Sequence, residues 1–431
     1  MNIRKSFSKI LIFFILPLSM VLFSCNNSNK NPDKENQKVT IDYMIWNAED
    51  KEGMEAIAEA FEEENPDINV NVEVTPWDQY WPKLEASALG GSMPDLFQMH
   101  SQEIAKYSEG NVLMELNDLI QNSERIDMDK FPEDIIEIYT TKEDKVLAIP
   151  RDVDTIGLWY NKEIFDDAGI DYPDETWTWD TLLDTALELT DEEEGIYGML
   201  APVNNQEGYY SFLFQNDGYV LSDDKKESGF RDPNTIEAMQ FYIDLSLKYK
   251  VSPTASQFAD NDRMVYFQSG RAAMGTFGSY QANTFIENEY TAEHVDVAPL
   301  PKGKKQATIY NGVGNSVAAD TEHPEEALKF LEFMSSKEGM TIMGEYGASM
   351  PAHEDAGEAY IEAYPEYDLR PVLEQEEYGV IKPYSEKTLI WSEVENKLLM
   401  PAFLGEKTVE EAAEDIVTET ENILSTEQVE Q

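Results

Sequence analysis

Two apolar runs, Val146 to Pro150 and Ile156 to Tyr160, flank a polar interval at Arg151 to Thr155. Unpaired charges are not left in the middle of a buried strand. The interval therefore reads as a crossing between two bodies. The expectation is that Arg151 to Thr155 forms a hinge, that Leu158 to Lys162 opens the core of a second lobe, and that Asp152 and Asp154 face the space between. With 431 residues, 42% of them hydrophobic, the chain has material for two such bodies.

The flanking sequence states what each body is made of. Val39, Ile41, Tyr43 and Ile45 alternate with the period of a strand; Met54, Ile57, Ala58 and Phe61 follow at helical spacing up to Asn65-Pro66; Ile68, Val70, Val72 and Val74 alternate again. A strand, helix, strand unit is the elementary piece of a parallel α/β sheet. Further on, Thr178 is placed to cap a helix through Leu189, Pro233 and Pro324 each sit at a first helical turn, Val295 to Pro299 reads as a short strand, and Thr408 with Glu411 forms a capping box.

The N-terminus is read separately. Arg4, Lys5 and Lys9 precede an apolar run, Ile10 to Phe23, too short for an ordinary span, which is expected to be a secretory signal over 1–24. Cys25, the single cysteine, follows it directly, as in a bacterial lipobox, although Phe23 stands where a smaller residue is usual. Acylated there, the protein would be held to a membrane by lipid and face outward, with 25–38 as a polar leash. The 85 acidic and 32 basic residues give a formal net charge of −53. Nucleic acid is thereby excluded as a partner, since phosphate contacts need clustered Lys and Arg. A solvated acidic surface or a cationic ligand both remain open.

Several segments, in order along nearly the whole mature chain, resemble the carbohydrate-binding solute receptors of bacterial ATP-driven importers, the family that includes the maltodextrin-binding proteins. They include FEEENPDINVNVE from Phe61, MPDLFQM from Met93, AIPRD from Ala148, LWYNKEIFDDAGI from Leu158, NDGY from Asn216, FQSGRAAMGTFGSY from Phe267, VAPLPKGK from Val297 and HPEEALKFLEFMSSKEG from His323. The resemblance implies an α/β, two-lobed periplasmic-binding-protein fold of type II with three hinge crossings. It implies a first lobe of 39–152 and 313–345 and a second of 153–312 and 346–431. The expected function is capture of a sugar between the lobes by a monomer and delivery to the permease and ATPase of an ABC transporter.

A sugar site needs flat aromatic walls for C–H faces and planar polar groups for hydroxyls. Trp46 and Asn47 end the first strand, where open α/β sheets place ligands; Gln102, ahead of His100, follows another strand end; Gly312 and Gly314 permit close approach or flexion at a crossing. By resemblance, Asp154 with Asp152 supplies an acidic sugar contact unless Arg151 neutralises them, Tyr209 (with Tyr210 as rival) and Trp391 stack on ligand, and Tyr280 stands where the family has Trp.

No catalytic residue, metal or cofactor is expected. His100, His294, His323 and His353 form no ligand spacing, and GxSxG and phosphate-loop patterns are absent. A binder of a polyamine or peptide, and a glycoside-acting enzyme built on a carboxylate pair, stand as alternatives.

Overall fold

The alternating segments form the strands that their period predicts. A computed structural model describes residues 38–427; the predicted signal and Cys25 lie outside them. In chain order the strands are β1 (Val39–Ile45), β2 (Ile68–Val74), β3 (Leu96–His100), β4 (Ile149–Pro150), β5 (Asp154–Asn161), β6 (Met274–Gly278), β7 (Val295–Ala298), β8 (Thr308–Asn311), β9 (Val313–Val317) and β10 (Gly379–Ile381). They make two sheets, β2-β1-β3-β9-β4 and β10-β8-β5-β6, with β7 also paired to β5.

In the first sheet β1 and β2 run parallel from Val39↔Ile68 to Ile45↔Val74, joined by the helix Lys51–Glu64. That helix buries Met54, Ile57, Ala58 and Phe61, the single face its spacing predicts. Phe61 meets Phe330 of the helix Pro324–Met334 at 5.1 Å, and Tyr43 of β1 meets the same ring at 5.9 Å. The apolar stripes of two helices and one strand thus close a single core.

β5 is buried along its whole length because both of its faces are covered. Ile156, Leu158 and Tyr160 point into a core that contains Phe212, Tyr242 and Trp391; Trp159 points the other way, onto Phe285 at 4.7 Å. Gly157 is required there, since a Cβ would lie 2.7 Å from Val297 and 2.9 Å from Val372.

The segments linking the sheets run side by side. Arg151 to Val153 connect β4 to β5, and Gly312 alone separates β8 from β9. A Cβ on Gly312 would sit 2.4 Å from the Asp152 carbonyl oxygen. Backbone bonds lace the two together: Arg151 N–H donates to Val313 O at 2.7 Å. After the helix Lys337–Glu345, Ala348, Ala352 and Ala356 stay in the first core, and Tyr360 is the next residue to join the second sheet's packing. Val153 N–H donates to Met350 O at 3.0 Å and Ala352 N–H to Arg151 O at 3.1 Å, so residues 350–352 are held along the first crossing. Among the described residues no helix is long and apolar enough to cross a membrane.

Candidate functional site

A cavity of about 910 Å³ opens between the two sheets, lined from both. Trp46, Asn47, Gln102, Asp152, Asp154 and Tyr280 of the predicted set line it; Tyr209, Gly312 and Trp391 do not.

Its first wall is aromatic. Trp46 follows β1, and Trp77 and Trp81 lie one turn apart on the helix Trp77–Gly90, a spacing that puts both on one face. Trp46 and Trp77 meet edge to face at 5.2 Å and 87°, Trp77 and Trp81 at 5.5 Å and 86°. Tyr80 braces them from behind, fully buried, with its hydroxyl donating to Gln98 O at 2.7 Å; Gln98 Oε1 accepts the Trp46 backbone N–H at 3.3 Å. Trp77 keeps 38% of its surface exposed, so a flat face remains for a ligand. His100, at the end of β3, stands 5.4 Å from Trp77. Burial holds its pKa well below the usual value, so the ring is neutral. Its Nδ1 lies 3.2 Å from the Gln102 backbone N–H and its Nε2 3.3 Å from the Asn311 amide nitrogen.

The floor separates two carboxylates that the sequence treats alike. Arg151, 3% exposed, donates to Asp50 at 2.7 Å and to Asp152 at 2.8 Å. Asp152 Oδ1 also accepts the Val313 N–H at 2.7 Å. Asp152 is thus a tie between crossings. Asp154, two residues on and 8% exposed, receives no such support: Oδ1 is sealed in the wall without a partner among the described residues. Its pKa is pushed up to about 7 by burial and by the charge of Asp152, which Lys382 and Gln206 only partly offset.

The opposite wall is polar. Asn204 to Glu207 enter it through a π turn, Asn205–Tyr209. Glu207 pairs with Arg263 and accepts the Gly278 N–H at 2.8 Å. The Tyr280 ring folds back over Gly278, where a Cβ would fall 2.1 Å from ring carbon Cε1. Lys382, just beyond β10 and 4% exposed, donates to Gln206 Oε1 at 2.6 Å, and burial pushes its pKa down to about 8. Asn396 and Ser392 complete the wall from the helix Thr388–Phe403.

Two predicted stacking rings are used elsewhere. Tyr209 is fully buried and its hydroxyl donates to Glu395 at 2.6 Å; Trp391 is fully buried and its Nε1 donates to Ser385 Oγ at 2.8 Å. Both belong to the second sheet's core, so neither has a free face for a ligand. Gly312 is consumed by the close packing of the crossings. In their place the cavity takes Trp77, Trp81, Gln206, Glu207 and Lys382. Of these, only the W-x-x-x-W spacing after the second strand was visible in the sequence.

A family model described as bacterial extracellular solute-binding protein matches residues 46–341. The chain is 22% identical over 408 residues to a maltooligosaccharide ABC transporter solute-binding lipoprotein of Streptococcus pneumoniae, covering 93% of each. An ABC substrate-binding protein of Listeria monocytogenes in complex with cycloalternan superimposes with a TM-score of 0.84 at 25% identity, over 90% of this chain and 99% of that one. A solute-binding protein of Thermotoga lettingae bound with α-D-tagatose gives 0.79 at 26%, over 90% and 100%.

Proposed function

The chain belongs to the bacterial extracellular solute-binding proteins, and from that premise we propose that it is the exported receptor of an ABC importer for a sugar or oligosaccharide. Its fold is the two-lobed, type II binding-protein fold of its structural relatives. Members of this family and its relatives bind rather than transform their ligands.

The observation that carries the sugar reading is the pairing of walls. Three indoles, of which Trp77 is 38% exposed, oppose Asn204, Asn205, Gln206 and Asn396 across one cavity. Aromatic faces take the C–H surface of a pyranose, and planar amides pair with its vicinal hydroxyls. In this reading Trp46, Asn47, Gln102, Asp154 and Tyr280 contact the ligand directly, and Asp152 fixes the hinge behind them. The first lobe is 39–152 with 313–356, the second 153–312 with 357–427. Ligand touching both lobes stabilises the closed form through its differential affinity.

Cys25 anchors the mature protein by its lipid, with the following polar residues as a leash. Replacing Cys25 with Ala should move the protein from the membrane fraction to the soluble fraction; unchanged fractionation would remove the anchor.

The test of the function is calorimetry or thermal-shift screening of the soluble mature form against mono- and oligosaccharides, polyamines and peptides. A sugar that raises the melting temperature and binds with a defined stoichiometry is the expected result. Stabilisation by a polyamine or peptide, and by no sugar, would overturn it.

A further inference from the structure

The aromatic wall and the amide groups serve any sugar, but the charges of the cleft do not. Arg151 is consumed by Asp50 and Asp152, and Arg263 by Glu207. That leaves Asp154 on the floor, Asp78 on the first wall and Glu393 on the second, all lining the same cavity. Against them stands one uncommitted cation, Lys382, whose ammonium is bonded to Gln206 and not to a carboxylate.

Asp154 is the independent observation that turns this charge imbalance into a site. It is more than nine-tenths buried, it lines the cavity, and its Oδ1 has no hydrogen-bond partner among the described residues, while Gln206 reaches the same side chain. A buried carboxylate left without a donor is costly, and proteins supply donors when the charge has only a structural purpose, as this chain does for Asp152 two residues away. A ligand can supply a donor to Asp154 only where its side chain faces the cavity, beside the sealed Oδ1.

Resting on the sugar reading above, we propose that the ligand is an amino sugar, with a protonated amine seated against Asp154 and its ring on the Trp46, Trp77 and Trp81 wall. An ammonium supplies the charge and the donors that Asp154 lacks, and Asp78 and Glu393 draw the same cation in from the two lips of the cleft. The indole faces add a cation–π attraction for a charge passing over them. A neutral hydroxyl would hydrogen-bond Asp154 but bring no charge to add to the partial offset from Lys382. The groups that face Asp154 are Asp152, Glu207, Lys382 and Gln206. Of these, only Lys382 opposes an incoming cation; burial lowers its pKa to about 8, which leaves it mostly charged at pH 7.5.

The test uses the soluble mature chain. Affinities for D-glucosamine, D-galactosamine and their β-1,4-linked disaccharides are measured by calorimetry beside the matching neutral and N-acetylated sugars. At pH 7.5 and low salt an amino sugar should bind at least tenfold tighter than both counterparts. The ratio should shrink in 0.5 M salt and at pH 5, where Asp154 is protonated while the amine stays charged. In Asp154→Asn, whose folding is checked by thermal melting, the ratio should fall within threefold. A neutral or N-acetylated sugar binding as tightly as its amine overturns the proposal and leaves the sugar reading standing. So does a ratio unchanged in Asp154→Asn. If no sugar of any kind binds, the amino-sugar proposal and the sugar reading fall together.

Discussion

The two walls of the cleft are built on opposite principles. On the first, Trp77 meets Trp46 and Trp81 edge to face, Tyr80 braces the group, and the His100 beside them is held neutral by burial. On the second, Glu207 and Lys382 are buried ionisable groups, with Asp154 at the seam. The first wall is preorganised and loses little on binding. The second stores unmet electrostatic demand that a ligand can satisfy. One wall therefore supplies affinity for rings in general, and the other decides which ring.

Substitutions at the seam should break this contrast most sharply. Arg151→Met leaves Asp50 and Asp152 buried without their cation, and should lower unfolding free energy by about 3–5 kcal/mol in urea denaturation. If stability is unchanged, the triad does not hold the crossing. Asp154 gives the next effect. A carboxyl whose folded-state pKa is about 7 binds its proton more tightly folded than unfolded, where the value is about 3.9. The stability it contributes is present below pH ~4 and is lost as pH rises through about 7. Asp154→Asn should remove a fall of about 2 kcal/mol between pH 5 and pH 8, seen by comparing denaturation curves of the two proteins. A parallel pH dependence in both would show that the second wall carries no such demand at Asp154.

Trp77→Ala tests the other wall. Because Trp77 is 38% exposed, its loss should weaken binding of any sugar ligand about 30-fold, the size of a ~2 kcal/mol hot spot, with little change in melting temperature. A change confined to amino sugars would contradict the division of labour between the walls. Smallest is Tyr280→Phe, which keeps the ring over Gly278 and deletes only the hydroxyl. Affinity measured by calorimetry should move less than about threefold, and a larger loss would make the hydroxyl a ligand contact.

Much of the fold was legible because burial leaves a period. The alternation of Val39 to Ile45 and Ile68 to Val74, and the stripe of Met54, Ile57, Ala58 and Phe61, became β1, β2 and the helix between them. Thr178 and Thr408 cap the helices predicted from them. The site was less legible. Tyr209 and Trp391 are large aromatics beside polar residues, the same description that fits Trp46 and Trp77. Periodicity states that a ring is covered without stating whether protein or ligand covers it. Lys382 and Gln206 were invisible for a different reason: they meet across 176 residues.

By itself, then, the sequence determined the α/β elements, the charged break between Pro150 and Ile156, the kinship with solute-binding proteins and the supply of aromatic and planar polar groups. All of these are written in local pattern or in collinear order. Only the tertiary structure decided that Asp152 is tied and Asp154 is not, because Asp50, the residue that shares Arg151 with Asp152, lies 101 positions upstream of that arginine. It also decided that residues 350–352 hydrogen-bond along the first crossing. Partners that distant leave no trace in spacing, and a carboxylate's role is set by its partners.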